Sequence, residues 1–181
     1  MNKLFQFLCV FLFIQAASTS AISAQAQDQV PSKPWQQLQL VGEAELKFFF
    51  WHVYEARLYS NNGNFVFSET RPFALELHYK RKFSVQQLVD ETRKQWKAIG
   101  IDADSKDNST RLNTLGSLLG DVDNGDIIIL YVDAQGASNF YLNERLLGTI
   151  ADSAFTEQFA AIWLSEKTTR PDFRDNLIRQ S

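Results

Sequence analysis

Apolar residues change their spacing several times along the chain. After Lys3, Leu4 to Ile14 is an apolar run broken only by Gln6, and small residues follow it from Ala16 to Ala26. Gln27 to Pro34 is polar and carries two prolines. From Leu38 to Tyr59 the alternation has a period of two and predicts strand. It places Leu46, Phe48, Phe50, His52, Tyr54, Ala56 and Leu58 on one face, and Lys47, Phe49, Trp51, Val53, Glu55, Arg57 and Tyr59 on the other. The Phe48 to Trp51 stretch is apolar on both faces, so both are expected to be core, and Gly42 marks a bend or bulge. Ser60 to Asn64 reads as a turn and Phe65 to Phe67 as a continuation of the sheet. Phe73 to Tyr79 alternates again and ends in the basic run Lys80, Arg81, Lys82.

The period then changes to that of a helix. Ser84 suits an N-cap and Gln87 completes a capping box, while Val85, Leu88, Val89, Thr92, Trp96 and Ile99 form a stripe that Gly100 ends. A second helix, capped at Asn108 or Ser109, aligns Leu112, Leu115, Leu118 and Leu119. Asp126 to Asp133, Asn139 to Leu142 and Arg145 to Ile150 read as antiparallel strands with turns at Gln135-Gly136 and Asn143-Glu144. Asp152 or Ser153 caps a third helix running to Leu164, and Pro171 opens a fourth. Strands, helices, strands, helices is the order of an α+β protein: an open-faced β-sandwich, one antiparallel sheet with helices packed on one side.

Composition narrows the chemistry. The 181 residues are 45% hydrophobic with a net charge of −3, which gives no bulk attraction to nucleic acid or to an anionic membrane surface. The apolar run near the amino terminus is too short to span a bilayer, and Ala24-Gln25-Ala26 offers small-x-small spacing. Residues 1–26 therefore read as a signal peptide, with cleavage after Ala26 or after Ala24, against the alternative of a retained anchor. The expected plan is signal peptide 1–26, flexible leader 27–35 and one domain 36–181, periplasmic or secreted, with no stable membrane insertion after cleavage. The single cysteine, Cys9, lies in the signal segment, which excludes disulfides and thiol chemistry from the rest of the chain. Neither a metal nor a cofactor is expected. His52 and His78 form no HExxH pair, Asp121 to Asp126 has turn rather than calcium-loop spacing, and no glycine-rich phosphate loop or GxSxG elbow occurs.

Several segments together resemble the chalcone isomerase-like family, in its secreted bacterial branch. They are Val41 to Leu46 running into Val53 to Tyr59, Phe83 to Val89 through Trp96, Asn124 to Asp126, Phe140 to Asn143 with Leu147-Gly148, and Ile162 to Ser165 followed by Thr169 to Pro171. The resemblance implies an open-faced β-sandwich with a cleft between sheet and helices. Carried across position by position, it puts Leu46 where the plant isomerases use an arginine and Tyr54 where they use a strand threonine. Phe83 falls at the tyrosine before the helix, Asp90 at the helix asparagine and Ile162 at a late polar residue. Losing fixed donors that are typically worth about 3 kcal/mol each removes the isomerase reaction, so no catalytic residue is assigned. Other members of the superfamily bind fatty acids through an arginine and a tyrosine. Tyr54 matches that tyrosine and Leu46 leaves the arginine unfilled, with Lys47 adjacent but turned to the opposite face.

The implied function is a non-catalytic protein holding a small apolar, fatty-acid-like ligand. The alternatives are an accessory protein-interaction module, which an exposed apolar patch would favour, and an enzyme of the intramolecular lyase or isomerase kind. The candidate ligand-binding residues are Tyr54, His52, Phe48, Phe50 and Phe83. His52 is read either as a core histidine or as the polar neighbour of Tyr54, and Tyr54 either as packing or as a donor. Arg57 is read as an ion pair near Glu55. The patch His78, Lys80, Arg81, Lys82 is either a dock for an anionic head group or a solvated strand end.

Overall fold

The computed structural model describes residues 33–178. The proposed signal peptide and most of the leader lie outside these residues. Six strands, β1 (Gln39–Phe48), β2 (Trp51–Ser60), β3 (Phe73–Tyr79), β4 (Ile127–Val132), β5 (Ser138–Leu142) and β6 (Arg145–Ile150), form one antiparallel sheet in chain order. Between β3 and β4 the chain inserts α1 (Val85–Ala98) and α2 (Lys106–Leu118). After β6 come α3 (Ser153–Leu164) and α4 (Pro171–Leu177). The sheet and the helices enclose a core in which Leu58, Phe73, Trp96, Leu112, Phe140 and Phe155 have no accessible surface. This is the open-faced α+β architecture that the element order predicts.

Local chemistry fixes the helices. Ser84 accepts the Gln87 amide while the Gln87 side chain accepts the Ser84 amide, the reciprocal capping box anticipated for α1. Asp152 caps α3 through the Ala154 and Phe155 amides. The cap of α2 is Ser105, not Asn108 or Ser109, because Ser105 Oγ reaches the Asn108 amide and begins the helix one turn earlier. Trp96 Nε1 donates to the Gln158 carbonyl and ties α1 to α3. Gly42 is dictated by close approach: a Cβ there would lie 2.3 Å from the Asn176 carbonyl oxygen, so only glycine lets the end of α4 settle on β1.

Four expectations about the first part of the domain are corrected. Trp35, assigned to the flexible leader, sits in a 3₁₀ turn (Pro34–Gln37) and is buried on the outer face of the sheet, its ring 4.4 Å from Tyr141. Phe65 to Phe67 is loop, although Phe65 itself is core and packs on Phe73. The stretch read as one alternating strand through Phe50 is two strands joined by a tight turn at Phe49 and Phe50, with Phe48 opposite Trp51. The fourth correction follows from that turn: Phe48, Phe49, Phe50 and Trp51 are 56, 81, 95 and 59% exposed rather than core. A two-residue turn projects its side chains beyond the sheet, where no helix reaches them.

Candidate functional site

Position along β2 is set by its register with β1 and β3. Leu46 pairs with Tyr54, Ala44 with Ala56 and Gly42 with Leu58, so these residues face the helices. The register then slips by one between Leu46 and Lys47, leaving Val53 as the extra residue of a bulge. Simple alternation therefore fails at this point. His52 pairs with Lys47 and turns to the outer face, where its Nδ1 meets Glu45. The polar pair of Tyr54 and His52 does not form. Lys47 likewise stays outside, with Nζ 2.8 Å from Glu45, and it does not supply the missing cleft cation.

On the inner face a cleft of about 1030 Å³ lies between the sheet and α1, α3 and α4. Leu46, Tyr54, Leu75, Leu77, Tyr79, Ile128, Leu130 and Phe140 make its floor, with Phe83 and Leu88 on one wall and Phe159, Ile162, Trp163 and Phe173 on the other. Apolar side chains predominate because alternation directs Phe73, Leu75, Leu77 and Tyr79 of β3 to this side. Of the candidate residues, Tyr54 and Phe83 line the cleft and Phe48 reaches its mouth. Phe50 and His52 do not; they border a separate depression with Trp51, Lys80, Arg81 and Lys82.

Two phenols lie side by side in this apolar floor. Tyr54 and Tyr79 are cross-strand partners with ring centroids 5.7 Å apart, in edge contact. Trp163 Nε1 donates to the Tyr54 oxygen at 2.8 Å, which leaves the hydroxyl proton of Tyr54 free to donate elsewhere. The Tyr79 hydroxyl has no hydrogen-bond partner among the described residues, although Tyr79 is buried and its ring packs on Phe83. Burial pushes the Tyr54 phenol up to about 12, opposed by the Trp163 bond. Tyr79 is also raised, by burial and then by Tyr54. Both are therefore neutral donors at physiological pH.

The charged residues lining the cleft are Arg81, Lys82, Lys94 and Arg170 with Asp90 and Glu91, and of these Glu91 and Arg170 act on the Tyr54 phenol in opposite directions. Asp90 faces solvent, as its helical angle predicts, and accepts from Gln86. Arg57 is on the outer face as expected, but its carboxylates are Glu43 and Glu76 rather than Glu55. His78 pairs with Glu76 on that same face. Neither histidine enters the cleft, and among the described residues no group of three or more His, Cys, Asp or Glu side chains is placed to hold a metal ion. The floor thus offers hydrogen-bond donors within an apolar container.

The sequence reading missed Tyr79 and Trp163. Tyr79 shares the parity of Leu75 and Leu77, so its face was legible. Its place beside Tyr54 depends on the β2–β3 register, and that of Trp163 on how α3 docks.

The model of the chalcone isomerase-like family matches residues 18–178. The chain belongs to that family. A Haemophilus influenzae relative described as an uncharacterized protein is 25% identical over 145 residues, 80% of this chain and 70% of its own length. The crystal structure of an Arabidopsis thaliana fatty-acid binding protein superposes with a TM-score of 0.61 at 11% identity, covering 78% of this chain and 87% of that one. The fold is therefore shared with that protein. Of the positions compared with the plant isomerases above, Leu46 lies in the cleft floor, Ile162 in a wall and Phe83 against Tyr79.

Proposed function

We propose that this family member is a secreted, non-catalytic binding protein whose cleft holds a small apolar ligand with one polar end, of the fatty-acid class. The observation that carries the reading is the pair of uncommitted phenol protons, on Tyr54 and Tyr79, in a floor that is otherwise apolar. Ligand sites are typically apolar clefts of roughly 300–1,000 Å³ with a few placed polar groups, and this cleft is of that kind. A carboxylate or carbonyl accepts from neutral phenols, while an acyl chain replaces water along Leu75, Leu77, Ile128 and Leu130. The solved fatty-acid binding protein with the same fold supports the class of ligand, and the short apolar run with its Ala-Gln-Ala site supports export.

Native mass spectrometry of protein recovered from its own compartment tests the reading directly, since a retained ligand adds mass. Titration with fatty acids of increasing length then tests the site. Tyr79→Phe removes a hydroxyl that no protein group uses, so folding is expected to stay unchanged while affinity falls by about 0.5–1.5 kcal/mol, or up to about 3 for a carboxylate. Tyr54→Phe also strands Trp163 Nε1, so it lowers stability as well as affinity. Arg57→Ala, on the outer face, leaves affinity unchanged. Equal affinity across the three variants places the ligand elsewhere or removes it. The accessory-module alternative has the exposed aromatic patch at Phe48 to Trp51 in its favour.

A further inference from the structure

The turn joining β1 and β2 is locally unfavourable in two independent ways. Two-residue hairpin turns favour Asn-Gly and similar pairs because they need positive φ, yet Phe49 occupies φ +53 here. The aromatic side chains gain no burial in return: Phe49 and Phe50 are 81 and 95% exposed. Backbone placed against its preference, carrying apolar surface in water, points to a contact the isolated chain lacks.

The surroundings identify the partner. Arg81 stacks over the Trp51 ring, its guanidinium carbon 4.3 Å from the centroid, and has no carboxylate partner among the described residues. Lys80 and Lys82 flank it in sequence and border the same depression, paired to Glu55 and Asp123, so the cations outnumber the carboxylates by one despite the negative charge of the chain. Exposed Phe and Trp with Lys and Arg behind them match the layering of a bilayer surface, where rings lie at head-group depth and cations meet phosphates. The patch is also small, four aromatic side chains at the end of one hairpin. A protein interface of ordinary size takes about 800 Å² from each partner, whereas a bilayer yields to a tip of any shape. Phe48 and Trp51 also line the mouth of the cleft.

We propose that the Phe48–Trp51 finger docks in the surface of an anionic lipid bilayer, with Arg81 at the phosphate level, so that the cleft opens against lipid. Docking itself needs no cleft ligand. Its use, the exchange of an acyl ligand between bilayer and cleft, rests on the reading above.

The test uses the full chain and vesicles of phosphatidylcholine with and without phosphatidylglycerol. Brominated acyl chains should quench Trp51 emission, and Trp51→Phe should remove that quenching. The pair Phe49→Asn with Phe50→Ser relieves the turn and removes two exposed rings, so its melting temperature should not fall while vesicle affinity drops roughly tenfold or more. Arg81→Gln should weaken binding several-fold on the anionic vesicles and little on the neutral ones. Absence of Trp51 quenching, or equal vesicle binding by the double variant, overturns the proposal. So does concentration-dependent dimerisation without lipid that the double variant abolishes, because the finger would then belong to a second copy. These vesicle results stand whether or not the fatty-acid titration succeeds, so the two readings fail separately.

Discussion

The two faces of the sheet are built from the same strands and treat polar groups in opposite ways. On the inner face, the Tyr54 and Tyr79 hydroxyls lie among apolar side chains and are held neutral by burial. On the outer face, Glu43, Arg57 and Glu76 form a chain of ion pairs with His78 hydrogen-bonded to Glu76, and Glu45 is held below the usual carboxylate range by its Lys47 bond with His52 adding to it. Alternation alone separates Tyr54 from Arg57. It takes the bulge at Val53 to separate Tyr54 from His52. One inserted residue thus decides whether the cleft contains an imidazole.

The contrast predicts unequal costs of substitution. Phe140, fully buried on the inner face with the Phe155 and Phe159 rings 6.1 and 5.5 Å away, should lose about 3–5 kcal/mol on change to alanine. Arg57→Ala on the outer face should cost at most about 1 kcal/mol. Urea denaturation measures both, and similar losses would erase the distinction. Gly42→Ala forces a methyl into the end of α4 and should cost about 1–3 kcal/mol, occasionally more, together with faster amide exchange in α4.

Asp152→Ala removes the cap of α3, which roofs the inner face, and should cost about 0.5–2 kcal/mol. The Arg111 bond, aided by the Phe155 amide, holds the Asp152 carboxyl below its ordinary value. Its contribution is therefore present above pH 4 or so and lost as pH falls through the lowered folded value. An acid melting series should show the wild type and the variant converging in that window. The remaining effect is alkaline. Because burial pushes the Tyr54 phenol up to about 12, the stability it gives is complete below about pH 10 and is lost as pH rises from there toward 12. Tyr54→Phe should lessen that decline, as followed by circular dichroism, and Tyr79, also raised by burial, keeps part of it; an unchanged decline would place the alkaline sensitivity elsewhere.

The α1 capping box, the Asp152 cap, the Pro171 start and the last three strands were legible because each is set by residues a few positions apart. Local spacing also gave the sheet parity of Tyr54 and of β3. It failed at Phe48 to His52, where an apolar run has no period to read and a bulge reverses the faces. A run of aromatics looks alike whether it is core or a projecting tip, since only the neighbours of the turn decide.

The sequence by itself determined the element order and the antiparallel sheet with helices on one side, because periodicity of 2 or 3.6 assigns each residue to a face, while the cleft came from the family resemblance. Tertiary structure alone decided that Tyr79 stands beside Tyr54 and that Trp163 occupies one lone pair of its oxygen. It alone turned His52 outward and left the aromatic turn in solvent. These outcomes depend on cross-strand register and on where α3 ends over the sheet. Both are settled by contacts between residues up to 109 positions apart, as in the Trp163–Tyr54 bond, and no local pattern encodes them.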